Sequence, residues 1–507
     1  MTNIAEARRV IEQACALGAT DFCVCAGSRN APLLAVLAGS GLRIYSFVDE
    51  RAAAFFALGR AKLTGRPAAV VTTSGTAVAE LLPAAIEAHY SGTPLILITA
   101  DRPARYRGTG APQSIEQEEI FGVYARGSVT HINVEFDEPL IDEEVFRSAA
   151  VSAAGPAASS PPTRQARNIL PSTAAARTRA ELAGEDASAP VALRARRPLV
   201  ILGGLDESHR IAVREFAKKL NAPVYAEPLS GLREDPSLSH LLITAGERMI
   251  GRGDFDSVIR IGNVPTLRFW RDLDESRHDL PLISFSALPF TGCSRGEVHS
   301  IEALPSEITP RERDEAFFED DRERAAAITQ ILDDEPDSEL AMFRSLSQSI
   351  PENTRVYLGN SLPIREWDLA ASREPRRFEI AANRGANGID GQLSTFFGQC
   401  DTSRPNVCIV GDLTAIYDSN APWIVPQLDA GIDWRIVIIN NSGGRIFSRV
   451  PSLRKLKASM RERIIENAHD LRFDHWAAMW SIEDRVTELR PDADASHRAW
   501  ARYDALW

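Results

Sequence analysis

Short apolar runs, each closed by small or polar residues, recur along the 507-residue chain and alternate with stretches of helical period. Over residues 1–150 the runs DFCVCAG, PAAVVTT, PLILITA and THINVEF are separated by the helical patterns RAAAFFALGRAKL and AVAELLPAAIEAHY. Buried strands that alternate with helices predict a parallel, doubly wound sheet. Residues 151–197, mostly Ala, Ser, Pro and Arg, hold no sustained period and read as a linker. A second strand-helix pattern, RPLVILGG through LPLISFS, is closed by the charged helical stretch RERDEAFFEDDRERAAAITQIL and bounds a central domain at 198–335. The remainder, 336–507, carries TRVYLGN, RFEIAAN, NVCIVGD and WRIVIINN, whose ends are Asn or Asp. The expected fold class is α/β, with three doubly wound parallel-sheet domains. Ligands of such sheets belong at the carboxyl ends of the strands.

Composition narrows the partners. Lys and Arg total 57 against 69 Asp and Glu, a net charge of −12, so the chain has no general attraction to nucleic acid or an anionic membrane. An anionic ligand has to meet locally placed arginines. Of six scattered cysteines only Cys23 and Cys25 are close, and C-x-C spacing fits neither a zinc ribbon nor a redox C-x-x-C motif. They read as reduced core residues of a cytoplasmic protein. The opening MTNIAEARRVIEQACALG mixes charge into an amphipathic helix and lacks the apolar core of a secretory leader. No uncharged apolar run of about 18 residues suggests a membrane span. Neither the Rossmann nor the P-loop glycine signature occurs.

The chemistry concentrates in two strand ends. GDLTAIYD follows one apolar run, and NNSGG follows the next about thirty residues later. A magnesium ion takes one or two oxygens from side chains and completes its octahedron with water and phosphate. Asp412 offers a carboxylate, Asn441 an amide oxygen, and a backbone carbonyl near Gly443 a third donor. The amides after Gly411, at Leu413 and Thr414, open a helix suited to phosphate oxygens. Alone, each piece is as readily an N-cap or a turn. Together they resemble the thiamine-diphosphate motif, which implies that cofactor anchored by Mg2+, with Mn2+ as a substitute. Such a cofactor needs a carboxyl group against its aminopyrimidine ring. Glu50, after a β-like run and at the start of a helix rich in small residues, is the candidate; its plainer reading is a first-turn charge favourable to the helix dipole.

Eight segments, AGSRNAPL, FVDER, TSGTAVA, TADRPARYRGTGAPQSIEQ, GNSLPIR, NRGANGIDGQLST, GDLTAIYD and NNSGGRIF, resemble those of the 2-succinyl-5-enolpyruvyl-6-hydroxy-3-cyclohexene-1-carboxylate (SEPHCHC) synthase family of menaquinone biosynthesis. The resemblance implies pyrimidine-binding, central and diphosphate-binding domains, thiamine diphosphate with Mg2+, and at least a homodimer, or a homotetramer, whose sites are shared between subunits. It implies decarboxylation of 2-oxoglutarate and 1,4-addition of the succinyl unit to isochorismate. Both substrates are dicarboxylates that call for cationic forks. By matching motifs the resemblance carries substrate contacts onto Ser28, Arg29, Arg102, Gln113, Arg268, Ser361, Arg365, Arg384 and Phe447, and makes Ile389 the apolar wedge under the cofactor. Singly, each arginine reads as a surface or structural ion pair. Compared with the family, the joint between EEIFGVYARGS and VTHINVEFDEPL and the C-terminal end are short, which predicts a shortened first domain and exposed sheet edges. Phe269 stands where a second basic residue is expected beside Arg268. Pro422 and Pro426 predict a late or bent helix after GDLTAIYD. The alternatives are another 2-oxoacid decarboxylase or synthase using the same cofactor, which the arginine set disfavours, and a non-catalytic relative, which the retained Glu50, Asp412 and Asn441 disfavour.

Overall fold

The computed structural model describes residues 2–141, 193, 195–450 and 452–507, so the expected linker at 151–197 lies almost wholly outside the described residues. Three sheets form. The first holds β1 (Asp21–Cys25), β2 (Arg43–Phe47), β3 (Ala68–Thr72), β4 (Leu95–Asp101) and β5 (Val129–Glu135). The second holds β6 (Pro198–Leu202), β7 (Val224–Ala226), β8 (Ser257–Ile261), β9 (Leu282–Phe285) and β10 (Glu297–His299). The third holds β11 (Arg355–Leu358), β12 (Glu379–Ala381), β13 (Asn406–Gly411), β14 (Trp434–Ile439) and β15 (Val486–Leu489). Their spatial orders are β2-β1-β3-β4-β5, β10-β9-β8-β6-β7 and β12-β11-β13-β14-β15. Each is the same doubly wound order, with its reversal between the first and third strands, where a crevice opens for ligands.

Inner strands follow directly from composition. β3, β4, β6 and β8 are buried at every position, because helices cover both faces of a parallel sheet. The edge strands β2, β10 and β15 have mixed burial and lack the apolar run by which inner strands are read. β5 pairs only with β4 among the described residues. The expected helix AVAELLPAAIEAHY is split into Thr76–Ala79 and Leu82–Ser91, because Pro83 lacks a donor and restarts the helix in its first turn. After the Asp412–Tyr417 helix the chain breaks at Asp418 into 3-10 turns over Ala421–Gln427, with Pro422 opening them and Pro426 inside.

The first and third sheets meet through two helices, Glu50–Thr64 and Gln392–Gln399. Gly59 and Gly398 sit at the crossing. A Cβ on Gly59 would stand 2.2 Å from Thr395 O, and one on Gly398 2.2 Å from Phe56 O. Phe55, Phe56 and Leu58 share a core with Leu393, Phe396 and Phe397. The central sheet joins the third through Arg233, which is 2% exposed and donates to the carbonyls of Trp367, Asp368 and Ala371 at the end of the Leu362–Ala370 helix.

Candidate active site

At the end of β13, Asp412 is 2% exposed. Its Oδ1 accepts from Leu413 N at 2.6 Å and its Oδ2 from Gly443 N at 2.9 Å, so the carboxylate is held against the turn that carries Asn441. The Leu413 amide is thereby occupied by Asp412 itself. His469 Nε2 lies 3.3 Å from Asp412 Oδ2. Because His469 Nδ1 accepts from Leu471 N at 3.2 Å, a neutral ring carries its proton on the nitrogen facing Asp412. Burial raises the Asp412 carboxyl above its ordinary value, with the Gly443 and Leu413 amides opposing it. Asn441 donates Nδ2 to both oxygens of Glu339 at 3.0 Å, while its Oδ1 is buried without a hydrogen-bond partner among the described residues. Gly443 sits at φ +129°, and a Cβ there would meet Glu466 O at 2.6 Å, so the turn accepts only glycine. The Gly443 carbonyl accepts from Arg445 N at 2.8 Å and keeps a second lone pair.

These atoms fit a hard cation that also binds phosphate. A buried carboxylate at the end of β13 and an orphaned amide oxygen on the turn after β14 are oxygen donors, and two protein ligands are the usual share for Mg2+. No group of three or more His, Cys, Asp or Glu side chains that could cage a metal occurs among the described residues. Remaining ligands therefore have to come from elsewhere.

Glu50 opens its helix at the carboxyl end of β2 and is half-buried. Burial raises its pKa, and the charges of Asp49 and Glu80 add to the effect. Its neighbours dock on the third domain of the same chain: Arg51 donates to Tyr417 O at 3.0 Å, and Asp49 accepts from Asn420. Ile389, partly buried, lies just before the Gln392–Gln399 helix that packs on the Glu50 helix.

Other first-domain candidates cluster at the ends of β1, β3 and β4. Ser28 is exposed, whereas Arg29 is 7% exposed and spends its guanidinium on Phe136 O at 2.8 Å and Glu138 at 3.4 Å. Arg102 has a buried Nε without a hydrogen-bond partner among the described residues, beside the Tyr106 ring. Gln113, exposed at φ +56°, rests on Gly75, where a Cβ would come within 3.1 Å of Gln113 Cα. Gln117, absent from the sequence-derived set, is 1% exposed and ties Gly75 N to Ala100 O and Asn133. The hydroxyls of Thr72, Thr73 and Ser74 are buried without partners among the described residues.

A second cationic group forms where the central and third domains meet. Arg384 donates to Asn360 Oδ1 at 2.8 Å and to Thr266 Oγ1, beside Glu227. Burial lowers its pKa to about 10, against the pull of Glu227. Glu227 in turn is raised to about 7 by burial and holds Thr266 through N and Oγ1, both at 3.0 Å. Arg365 donates to Ser361 O at 2.6 Å; solvent reaches it, yet surrounding protein lowers its pKa while Glu247 and Glu227 oppose. Ser361 holds φ +75°, an unfavourable geometry for a residue with a side chain and one that gathers at functional sites. Arg268 is exposed and pairs with Asp272 at 2.6 Å and Glu275 at 3.0 Å on its own helix. Phe269 is a core residue, 7% exposed, packed with Trp270 and Leu273. Phe447 is 37% exposed in the turn Arg445–Arg449. Glu87, 3% exposed, accepts from Gly385 N at 2.9 Å and Ala386 N at 2.7 Å and so fixes the loop that carries Arg384.

Glu339, Glu366, Glu227, Glu87 and His469 escape sequence reasoning, since each reads as a helix or loop charge with no local period to mark it. A cavity of about 510 Å³ opens beside Asn441 and Glu339, lined further by Arg445, Arg449 and Trp500. It adjoins the Asp412 turn without including Asp412.

The family model described as "Thiamine pyrophosphate enzyme, N-terminal TPP binding domain" matches residues 6–120. The chain is 41% identical to 2-succinyl-5-enolpyruvyl-6-hydroxy-3-cyclohexene-1-carboxylate synthase of Bdellovibrio bacteriovorus, with 100% of both chains covered. It is 36% identical to the Akkermansia muciniphila protein of that name over 96% of this chain and 92% of the relative. For the Geobacillus thermodenitrificans protein the figures are 33%, 91% and 85%.

Proposed function

This chain belongs to the SEPHCHC synthase family, and on that premise we propose that it joins 2-oxoglutarate to isochorismate, with loss of CO2, at the site assembled above. Thiamine diphosphate, when bound, supplies the electron sink for decarboxylation and carbon–carbon bond formation. The observation that carries the reading is the orphaned, buried Asn441 Oδ1 on the turn that clasps Asp412. Asp412, Asn441 and the Gly443 carbonyl would hold Mg2+, or Mn2+, against the diphosphate, with Gly411, Leu413 and Thr414 lining that end and Ile389 supporting the rings. Two protein side chains plus phosphate and water oxygens satisfy the ion.

Glu50 would hydrogen-bond the aminopyrimidine nitrogen. Its raised pKa keeps it closer to neutrality than an exposed glutamate, so the carboxyl can donate as well as accept. Arg384 and Arg365, with Ser361, would orient one dicarboxylate, while Ser28, Arg29, Arg102 and Gln113 meet the other from the first domain. Arg268 can exchange its exposed ion pairs for a substrate carboxylate at little cost, because such pairs are worth about 0–1 kcal/mol. Phe447 would close the pocket as an apolar wall.

We read the active unit as a homodimer or homotetramer, in the cytoplasm, with Glu50 of one subunit facing the Asp412 turn of another. No helix among the described residues is long and apolar enough to cross a membrane. The test mixes two dead variants, Glu50→Gln and Asp412→Ala, after reversible dissociation, and follows CO2 release from 2-oxoglutarate with isochorismate. Shared sites restore about a quarter of wild-type turnover in a random mixture, since half the dimers are mixed and each holds one intact site. No recovery places both residues in one chain's site. Turnover of wild type without isochorismate at the same rate would refute the acceptor.

A further inference from the structure

We propose that Glu339 is a positioning residue that decides which end of the Asn441 amide meets the cation, an inference that rests on the reading of the Asp412–Asn441 turn as the metal site. An asparagine presents a carbonyl at one end and NH2 at the other. The two ends have nearly the same shape, so packing cannot choose between them; hydrogen bonding does. Only the carbonyl binds a cation. An ionised carboxylate accepts and never donates, so a carboxylate behind Asn441 can meet only the NH2 end. Nδ2 lies 3.0 Å from each Glu339 oxygen, which turns Oδ1 to the opposite side.

Glu339 is itself held in place. It is 4% exposed at the first position of the Glu339–Ser349 helix, whose N-cap Ser338 receives Ala341 N. Its own N–H donates to Ser496 Oγ at 3.0 Å, on the C-terminal Ala493–Asp504 helix. Behind it stands Glu366, fully buried, with Arg449 and Trp500 beside it. Burial and the closeness of Glu339 push the Glu366 carboxyl well above its ordinary value. Burial raises the Glu339 carboxyl as well, and the hydrogen bond from the Asn441 NH2 opposes that rise. Two buried carboxyl groups are a costly way to fill a core that Leu or Met would fill as well. Orienting Asn441 accounts for that cost.

The test follows Mn2+ binding by the electron paramagnetic resonance signal of the free ion, with thiamine diphosphate present, on the full chain, and thermal melts report folding. Glu339→Leu is expected to weaken Mn2+ binding about 10- to 100-fold, the range for losing a group that orients a metal ligand. Adding Asn441→Asp to Glu339→Leu is expected to restore binding to within about tenfold of wild type, because a carboxylate offers oxygen from either end; in the wild-type background the same change sets a new charge against Glu339 and weakens binding. A purely structural role would show no such reversal. Undiminished binding by Glu339→Leu, or a loss in a folded chain that Asn441→Asp does not repair, overturns the inference. Should Glu339→Leu not fold, Glu339→Gln with and without Asn441→Asp decides: Gln can present either end to the Asn441 amide, so binding weakens in the single variant and returns when Asn441→Asp is added, whereas a loss that the second change does not repair overturns the inference. Absence of Mn2+ binding by the wild type removes the metal site and the inference with it.

Discussion

Gly59→Ala probes how the first and third domains are pinned together. A Cβ at 59 would stand 2.2 Å from Thr395 O and 2.9 Å from Gly398 Cα. Carbon contacts are comfortable from about 3.5 Å, so the Glu50–Thr64 and Gln392–Gln399 helices have to separate by about 1 Å. Backbone stands on both sides of the contact, and no side chain can rotate away. In an isolated helix the change stabilises by about 1 kcal/mol. Against that, overpacking costs about 1–3 kcal/mol, sometimes more, and a gap of this size forfeits a quarter to a half of each affected dispersion contact. The affected contacts join Phe55 and Phe56 to Leu393, Phe396 and Phe397. With the neighbour immovable, the upper part of the overpacking range applies, and a net loss of about 1–2 kcal/mol is expected. The assay is the urea midpoint by tryptophan fluorescence, compared as midpoints because a chain with several domains need not unfold in one step. Gly251→Ala, where nothing lies within 4 Å, is the control and should leave the midpoint unchanged or raise it slightly. Thermal stabilisation by thiamine diphosphate with Mg2+ should weaken in Gly59→Ala, since Glu50 moves with its helix. A Gly59→Ala protein as resistant to urea as wild type would refute the claim that this crossing sets the interdomain distance.

Three further outcomes are expected. Glu87→Gln leaves one of the Gly385 and Ala386 amides facing an NH2 group and removes the charge beside Lys62, which should cost about 1–3 kcal/mol in urea unfolding and raise KM by loosening the Arg384 loop; an unchanged midpoint and KM would show that the loop is held otherwise. Glu227 keeps in the folded chain, up to about pH 7, a proton that the unfolded chain releases near its ordinary 4.5. Stability therefore falls as pH rises between those values, by on the order of 3 kcal/mol, and Glu227→Gln should flatten this slope in urea midpoints taken from pH 5 to 8; identical slopes in both proteins would refute the assignment. Arg384→Met should raise KM for a dicarboxylate substrate by about tenfold or more while thermal stabilisation by thiamine diphosphate and Mg2+ persists, because its bonds run to Asn360 and Thr266 and not to the Asp412 turn; loss of both together would show that the two regions are one.

The chain by itself determined the inner strands and the fold class. Burial on both faces leaves β3, β4, β6 and β13 as continuous apolar runs, and a run needs no partner to be read. It also carried the donors Asp412 and Asn441, because each follows such a run directly. Only the tertiary structure brought Glu339 to Asn441 across 102 residues, set Gly59 on Gly398, and tied Arg384 to Thr266 of the central domain. The same holds for Arg29, whose present partners are the Phe136 carbonyl and Glu138, and for Arg268, which pairs with carboxylates of its own helix. Edge strands and buried charges depend on what packs over them. That information lies in the meeting of distant segments, where hydrophobic period has nothing to record and a hydrogen bond or a missing Cβ decides.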